Sequence, residues 1–235
     1  MIKQKIAITT LSLIRTKKEA GIVLETIKAL CGLNVPVVLV DGGSDERYLR
    51  EIEDLSNIHL YHEKSLENQL RRSLVEGSKI ADSCFYTHTD KLDFAKKYVK
   101  KIIEEYMRFE PDTMFVASRT NESFATYPEY QRKTEEYLNY FHSDYLGVSE
   151  DYYYGPKIFS SKLVKYLDLL DSDFGWGFEA LFYILNHRLG FPLKFYKVEC
   201  KSPEDVGSEE DVKSYRLKTV KWHIESFLRG VNVKL

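Results

Sequence analysis

Pro36-Val37-Val38-Leu39-Val40-Asp41-Gly42-Gly43-Ser44-Asp45 decides how this chain is read. A continuous apolar run has no polar face to turn to water, so it predicts a strand covered on both sides, as in parallel sheets. The run stops at Asp41, and Gly42-Gly43 follows where the chain must turn. Upstream, residues 5–9 read as a strand and residues 17–31 as a helix. In that helix Ala20, Val23, Leu24, Ile27 and Leu30 recur at helical spacing, and Gly32 stands where a C-cap belongs. Downstream, helical stretches at 45–55, 65–81 and 93–109 alternate with strand-like segments at 58–61, 83–87 and 113–117. Strands alternating with helices of this length predict βαβ units, hence an α/β fold with a mainly parallel central sheet and helices on both faces.

The second half is less regular. Residues 128–146 read as a Tyr-rich helix with Pro128 near its first turn, and 161–170 and 178–189 as further helices. Residues 157–160 and 193–198 read as strands. A closing helix is expected over 212–228 with Tyr215, Val220, Ile224 and Phe227 inward, after a charged loop at 201–210. No repeat interrupts the chain, so a single domain is expected.

The 235 residues carry 34 Lys+Arg against 36 Asp+Glu, a net charge of −2. Without a basic excess, nucleic acid is not an expected partner. Cys31, Cys84 and Cys200 are isolated and odd in number, which argues for a reducing compartment and against a disulfide framework or a zinc site. No apolar run approaches the roughly 20 residues that span a bilayer, and the first residues do not form a signal peptide, so a cytoplasmic protein is expected.

In open α/β sheets, ligands sit beyond the carboxyl ends of the strands. Three polar clusters fall there: Thr9-Thr10-Leu11-Ser12, Asp41-Gly42-Gly43-Ser44-Asp45 and Thr87-His88-Thr89-Asp90-Lys91. No G-x-G-x-x-G follows the first strand, and neither a phosphate-binding G-x-x-x-x-G-K-[ST] loop nor a G-x-S-x-G elbow occurs.

The order of these clusters resembles family 2-like glycosyltransferases with the GT-A fold. Val40-Asp41-Gly42-Gly43-Ser44-Asp45 is similar to that family's nucleotide-binding signature, and Ile8-Thr9-Thr10-Leu11-Ser12 to its first strand and loop. His88-Thr89-Asp90 falls where the family places a D-x-D motif. Trp176-Gly177-Phe178-Glu179, followed by Arg188-Leu189-Gly190, resembles its acidic acceptor-site motif, and Lys218-Thr219-Val220-Lys221-Trp222 echoes a late Q-x-x-R-W element. The resemblance runs from Lys5 to Trp222. It departs from the pattern at His88, at Ala180 after Glu179, and at Lys218 and Lys221.

The resemblance implies one GT-A-like domain, with a nucleotide-binding half over 1–120 and an acceptor half with the closing helix over 121–235. It implies transfer of a sugar from a nucleoside diphosphate sugar to a hydroxyl acceptor. Thr9, Thr10, Asp41, Gly42 and Gly43, with Arg71 and Arg72 on the helix before the fourth strand, would bind the donor nucleotide. Asp90, with His88 and His223, would hold Mn²⁺ or Mg²⁺ at the leaving diphosphate. Lys91, Arg71 or Lys221 offers a cationic alternative to that ion. Glu179 would be the base of an inverting transfer, and Tyr154, Gly155, Trp176 and Gly177 would line the acceptor. Retention of configuration stays open, as does a homo-oligomer. Two other readings remain: a nucleotidyltransferase, whose first loop usually carries glycines that 9–15 lacks, and a non-catalytic sugar-nucleotide-binding protein.

Overall fold

The computed structural model of the chain describes residues 4–202 and 209–235. Residues 203–208, within the charged loop expected over 201–210, lie outside the described residues. The elements run β1 (Ile6–Ser12), α1 (Lys17–Cys31), β2 (Val37–Asp41), α2 (Glu46–Glu53), β3 (Ile58–His62), α3 (Leu66–Ile80) and β4 (Ser83–Tyr86). Then come α4 (Leu92–Phe94), a wide turn of helix over Ala95–Val99, α5 (Lys100–Tyr106), β5 (Met114–Arg119), α6 (Asn121–Ala125) and α7 (Glu129–Leu146). β6 (Lys157–Ser160), α8 (Phe178–Arg188), β7 (Leu193–Val198) and α9 (Glu209–Asn232) complete the chain. The strands form a seven-stranded sheet in the order β3-β2-β1-β4-β6-β5-β7.

By its internal packing the chain divides into two compact units: residues 1–115 with 155–165, and residues 116–154 with 166–235. In the first unit β1 pairs in parallel with β2 and β4, and β2 with β3, while β6 runs antiparallel to β4. Every residue of β2 is buried, as the apolar run requires. Helix α1 starts in a capping box. The Thr16 hydroxyl accepts from the Glu19 N–H, and the Glu19 carboxylate accepts from the backbone of Thr16 at 3.0 Å.

Two elements differ from the expectation. Residues 161–169 wind as a 3₁₀ rather than an α-helix. On α9 the inward face is Thr219, Trp222, His223, Ser226 and Gly230, while Tyr215 and Ile224 are exposed. The reason is close packing. A Cβ at Gly177 would fall 2.2 Å from the Ser226 hydroxyl, and one at Gly230 would fall 2.9 Å from Ile184. At Gly177 and Gly230 the contact is through small residues, and Trp222 is the bulky side chain that α9 turns inward.

Candidate active site

In the first unit, parallel pairing aligns Ser12 with Asp41 and Thr9 with Tyr86, so the loops after β1, β2 and β4 meet at one sheet edge. Cross-links hold them. The Thr10 hydroxyl donates to the Thr87 carbonyl at 2.8 Å, and the Thr89 hydroxyl to the Leu11 carbonyl at 2.7 Å. Thr9 instead faces α3, with its methyl against Gly77.

Asp41 is fully buried at the centre of this edge. One carboxylate oxygen accepts from the hydroxyls of Ser12, at 2.9 Å, and Ser44. The other accepts from the N–H groups of Gly43, at 2.7 Å, and Ser44, at 2.8 Å. The carboxylate thus folds its own loop, and Gly43 in it adopts φ +111°, a conformation side chains resist. His62, at the end of β3, brings its Nδ1 within 3.9 Å of the carboxylate, and the Gln69 amide of α3 fills the space a Cβ on Gly42 would need. Both escaped the sequence reading. His62 carries the signal that located the others, a polar side chain ending a strand, whereas Gln69 sits mid-helix and carries none.

Arg71 and Arg72 lie half-buried on α3. Arg72 pairs with Glu63 at 3.5 Å and Glu76 at 3.3 Å, with its guanidinium 4.8 Å from the Tyr61 ring centre.

Strand β4 ends at Tyr86, so His88 and Asp90 lie on the loop beyond it rather than alternating along a strand. The half-buried His88 ring stands edge-on to Tyr86 at 5.2 Å. Crowding around the Asp90 carboxyl would raise its pKa; the charges of Lys91 and His88 and a backbone hydrogen bond outweigh that and hold it below the ordinary carboxylate range. An ionised carboxylate beside an imidazole is a donor set that fits a small divalent cation. Among the described residues no group of three or more His, Cys, Asp or Glu side chains is placed for a metal, so such an ion would take its remaining ligands from substrate oxygens and water.

In the second unit Glu179, the second residue of α8, is buried, with its carboxylate 3.7 Å from Nε2 of His223. The other ring nitrogen of His223 meets the Thr219 carbonyl at 2.7 Å, and the ring packs against Tyr153 at 4.6 Å. Burial, together with the Glu179 charge, pushes the phenols of Tyr153 and Tyr183 well above their ordinary range. Trp176 is half-buried and donates its indole N–H to the Tyr215 hydroxyl. The glycines on either side of Trp176 serve α9: Gly175, at φ +43°, lies against the Trp222 ring, and Gly177 against Ser226.

The most buried of the ion-paired groups in the second unit, Arg119 at the end of β5, also escaped the sequence reading, although a strand-end search would have reached it. Its Nε and Nη2 donate to the two oxygens of Asp151 at 2.7 and 3.0 Å, and Nη2 also donates to Glu135. The guanidinium lies 4.4 Å from the ring centre of Tyr127 and 5.5 Å from that of Tyr154, so Tyr154 packs beneath an ion cluster. Arg216 of α9 reaches the same Glu135 at 3.1 Å.

No protein-family model matches the sequence, and no curated protein matches it. Solved structures do match. Mannosyl-3-phosphoglycerate synthase from Rubrobacter xylanophilus superimposes with a TM-score of 0.69 over 99% of this chain and 76% of that one, at 12% identity. Glucosyl-3-phosphoglycerate synthase from Mycobacterium tuberculosis gives 0.65 over 99% of this chain and 82% of its own, at 13% identity. The latter's complex with Mn²⁺, uridine-diphosphate-glucose and phosphoglyceric acid gives 0.66 over 99% and 81%, at 13% identity. The chain therefore shares the GT-A-like α/β fold of these synthases. Among the described residues no helix is long and apolar enough to cross a membrane.

Proposed function

We propose that this protein transfers a sugar from a nucleoside diphosphate sugar to a hydroxyl acceptor. The observation that carries this reading is the meeting of the β1, β2 and β4 loops around a buried Asp41 at one sheet edge, on a fold shared with nucleotide-sugar enzymes. The Asp41 loop presents backbone at Gly42 and Gly43 to the nucleoside. Asp90 and His88 hold a divalent ion, Mn²⁺ or Mg²⁺, whose charge offsets that of the leaving diphosphate. Glu179 takes the acceptor proton, and Trp176 offers a ring face beside it. The M. tuberculosis synthase binds Mn²⁺ with its sugar donor, which supports the same class of ion here.

A thermal-shift screen of nucleoside diphosphates and their sugars, with and without Mn²⁺, tests the reading. A ligand at a hundred times its Kd should stabilise the fold by roughly 2.7 kcal/mol. Stabilisation that needs both nucleotide and ion, followed by slow release of free sugar from the donor, is the expected result. Binding without any turnover would favour a sugar-nucleotide-binding protein, and pyrophosphate release from a nucleoside triphosphate would favour a nucleotidyltransferase.

A further inference from the structure

The second unit carries a cleft of about 450 Å³ between the outer face of α7, the start of α6 and the Ser149–Glu150 turn. That size lies within the range of small-molecule sites. Its chemistry can be sorted by which groups are already engaged. Arg119 is bound to Asp151 and Glu135, and Lys197 to Glu150 and the Ser118 hydroxyl. Both cations of the lining are therefore neutralised within the protein. The charge that remains is Glu136, which makes no ion pair among the described residues, so the cleft does not suit a phosphate or carboxylate ligand. Beside Glu136 stand the Asn121 amide and the Ser149 hydroxyl, both exposed, and the rings of Phe124 and Tyr140.

A second observation concerns the rim. Tyr140, which lines the cleft, is 67% exposed; Tyr137 at 53% and Phe141 at 38% are exposed neighbours on α7 outside the lining. The three rings brace one another edge to face, Tyr137 to Phe141 at 4.7 Å and Tyr140 to Phe141 at 5.9 Å. The exposed aromatic shelf that Tyr140 offers beside amide, hydroxyl and carboxylate groups matches a pyranose. The C–H face of the sugar packs on the rings, and its hydroxyls donate to the carboxylate and exchange hydrogen bonds with the amide. We infer that this cleft is a binding site for a neutral saccharide, separate from the Glu179 carboxylate and from the Asp41 loop. The inference does not require that the protein transfer sugars.

Saturation-transfer NMR with glucose, mannose, maltose and α-1,2-mannobiose at millimolar concentration tests it, with the binding of a nucleoside diphosphate followed on the same samples. The expected result is transfer concentrated on the protons of one ring face, lost in Tyr140→Ala and weakened in Asn121→Ala and Glu136→Gln, with nucleotide binding unchanged. Tyr140 is on the surface, so its removal should leave the fold intact. Absence of transfer from all four sugars overturns the assignment, and so does transfer that persists in Tyr140→Ala. Sedimentation showing a dimer that Tyr140→Ala dissolves also overturns it, since the shelf would then be a contact between copies. Failure of nucleotide binding while sugar transfer signals persist would remove the proposed donor site and leave this one standing.

Discussion

Gly155 lies directly beneath the His88 ring: a Cβ placed on it would fall 2.5 Å from Nε2. Its backbone φ of +114° is also one that side chains resist. Gly155→Ala should therefore cost roughly 1–3 kcal/mol of stability by strain. The imidazole is the flexible party, so it should also move. If His88 helps Asp90 to hold a cation, Mn²⁺ affinity should fall by about 10–100-fold, as when a ligand loses its support. Chemical denaturation reads the first effect and Mn²⁺ titration by electron paramagnetic resonance the second. Unchanged Mn²⁺ affinity in a destabilised variant would separate His88 from the ion.

Asp41 tests whether the nucleotide loop is built by its carboxylate or touched by it. Its four accepted hydrogen bonds all come from Ser12, Gly43 and Ser44. Asp41→Ala should weaken nucleoside diphosphate binding by roughly 1.5–3 kcal/mol, the range for hydrogen bonds to a charged group. Because the effect passes through the loop, Ser44→Ala should weaken binding in the same sense, by about 0.5–1.5 kcal/mol. Calorimetry that finds Ser44→Ala silent and Asp41→Ala severe would place the carboxylate in direct contact with the nucleoside.

Arg119 gives a pH prediction. Burial would raise the Asp151 carboxyl, but the hydrogen bonds and charge of Arg119 outweigh burial and depress it. A depressed carboxyl stabilises the fold fully above its unfolded pKa, roughly 3.9, and that contribution is lost as the pH falls through the lower folded value. Arg119→Met leaves Glu135 with Arg216 but Asp151 buried without its cation, which should cost roughly 3–5 kcal/mol at neutral pH. In the variant the Asp151 carboxyl loses the Arg119 bonds that depress it and burial pushes it upward, so the folded state holds its proton more tightly than the unfolded one. Its stability should then rise on mild acidification, opposite to the wild-type slope at the acid end. Urea denaturation between pH 5 and 8 reads the difference, and parallel wild-type and variant profiles would contradict it.

How much of this was legible in the sequence depends on whether the cause was local. The βαβ order followed from periodicity, because the apolar run at 37–40 and the helical spacing of Ala20, Val23, Leu24, Ile27 and Leu30 state their own structure. The strand-end loops followed from one topological rule. What failed depended on contacts distant in sequence. The inward face of α9 is set by Gly177 and Ile184, far from it in the chain, so hydrophobicity misplaced Tyr215 and Ile224, while Val220 and Phe227 are half-buried. The Gly175-Trp176-Gly177 segment looked like space for an acceptor, yet its glycines are filled by Trp222 and Ser226. Arg119 ends a strand, as Asp41 does, but its role shows only when Asp151 and Glu135, 32 and 16 residues away, close around it.

Glu179 carries the most exposed part of the proposed mechanism. It is buried near the N-terminus of α8, whose dipole favours its ionised form, with His223 3.7 Å from the carboxylate. A base needs to be ionised near neutral pH and within hydrogen-bond reach of the acceptor hydroxyl. Glu179→Gln keeps the shape and removes the charge. Turnover should fall by roughly 10²–10⁴-fold, the usual contribution of a general base. Nucleotide binding should hardly change, since its contacts are assigned to the Asp41 and Asp90 loops. The configuration of the product is the companion measurement: a base acting on the acceptor predicts inversion at the anomeric carbon. Near wild-type turnover in a folded Glu179→Gln would remove the base from this residue. Loss of nucleotide binding would place Glu179 on the donor side, and retention of configuration would exclude it as the base of a single displacement.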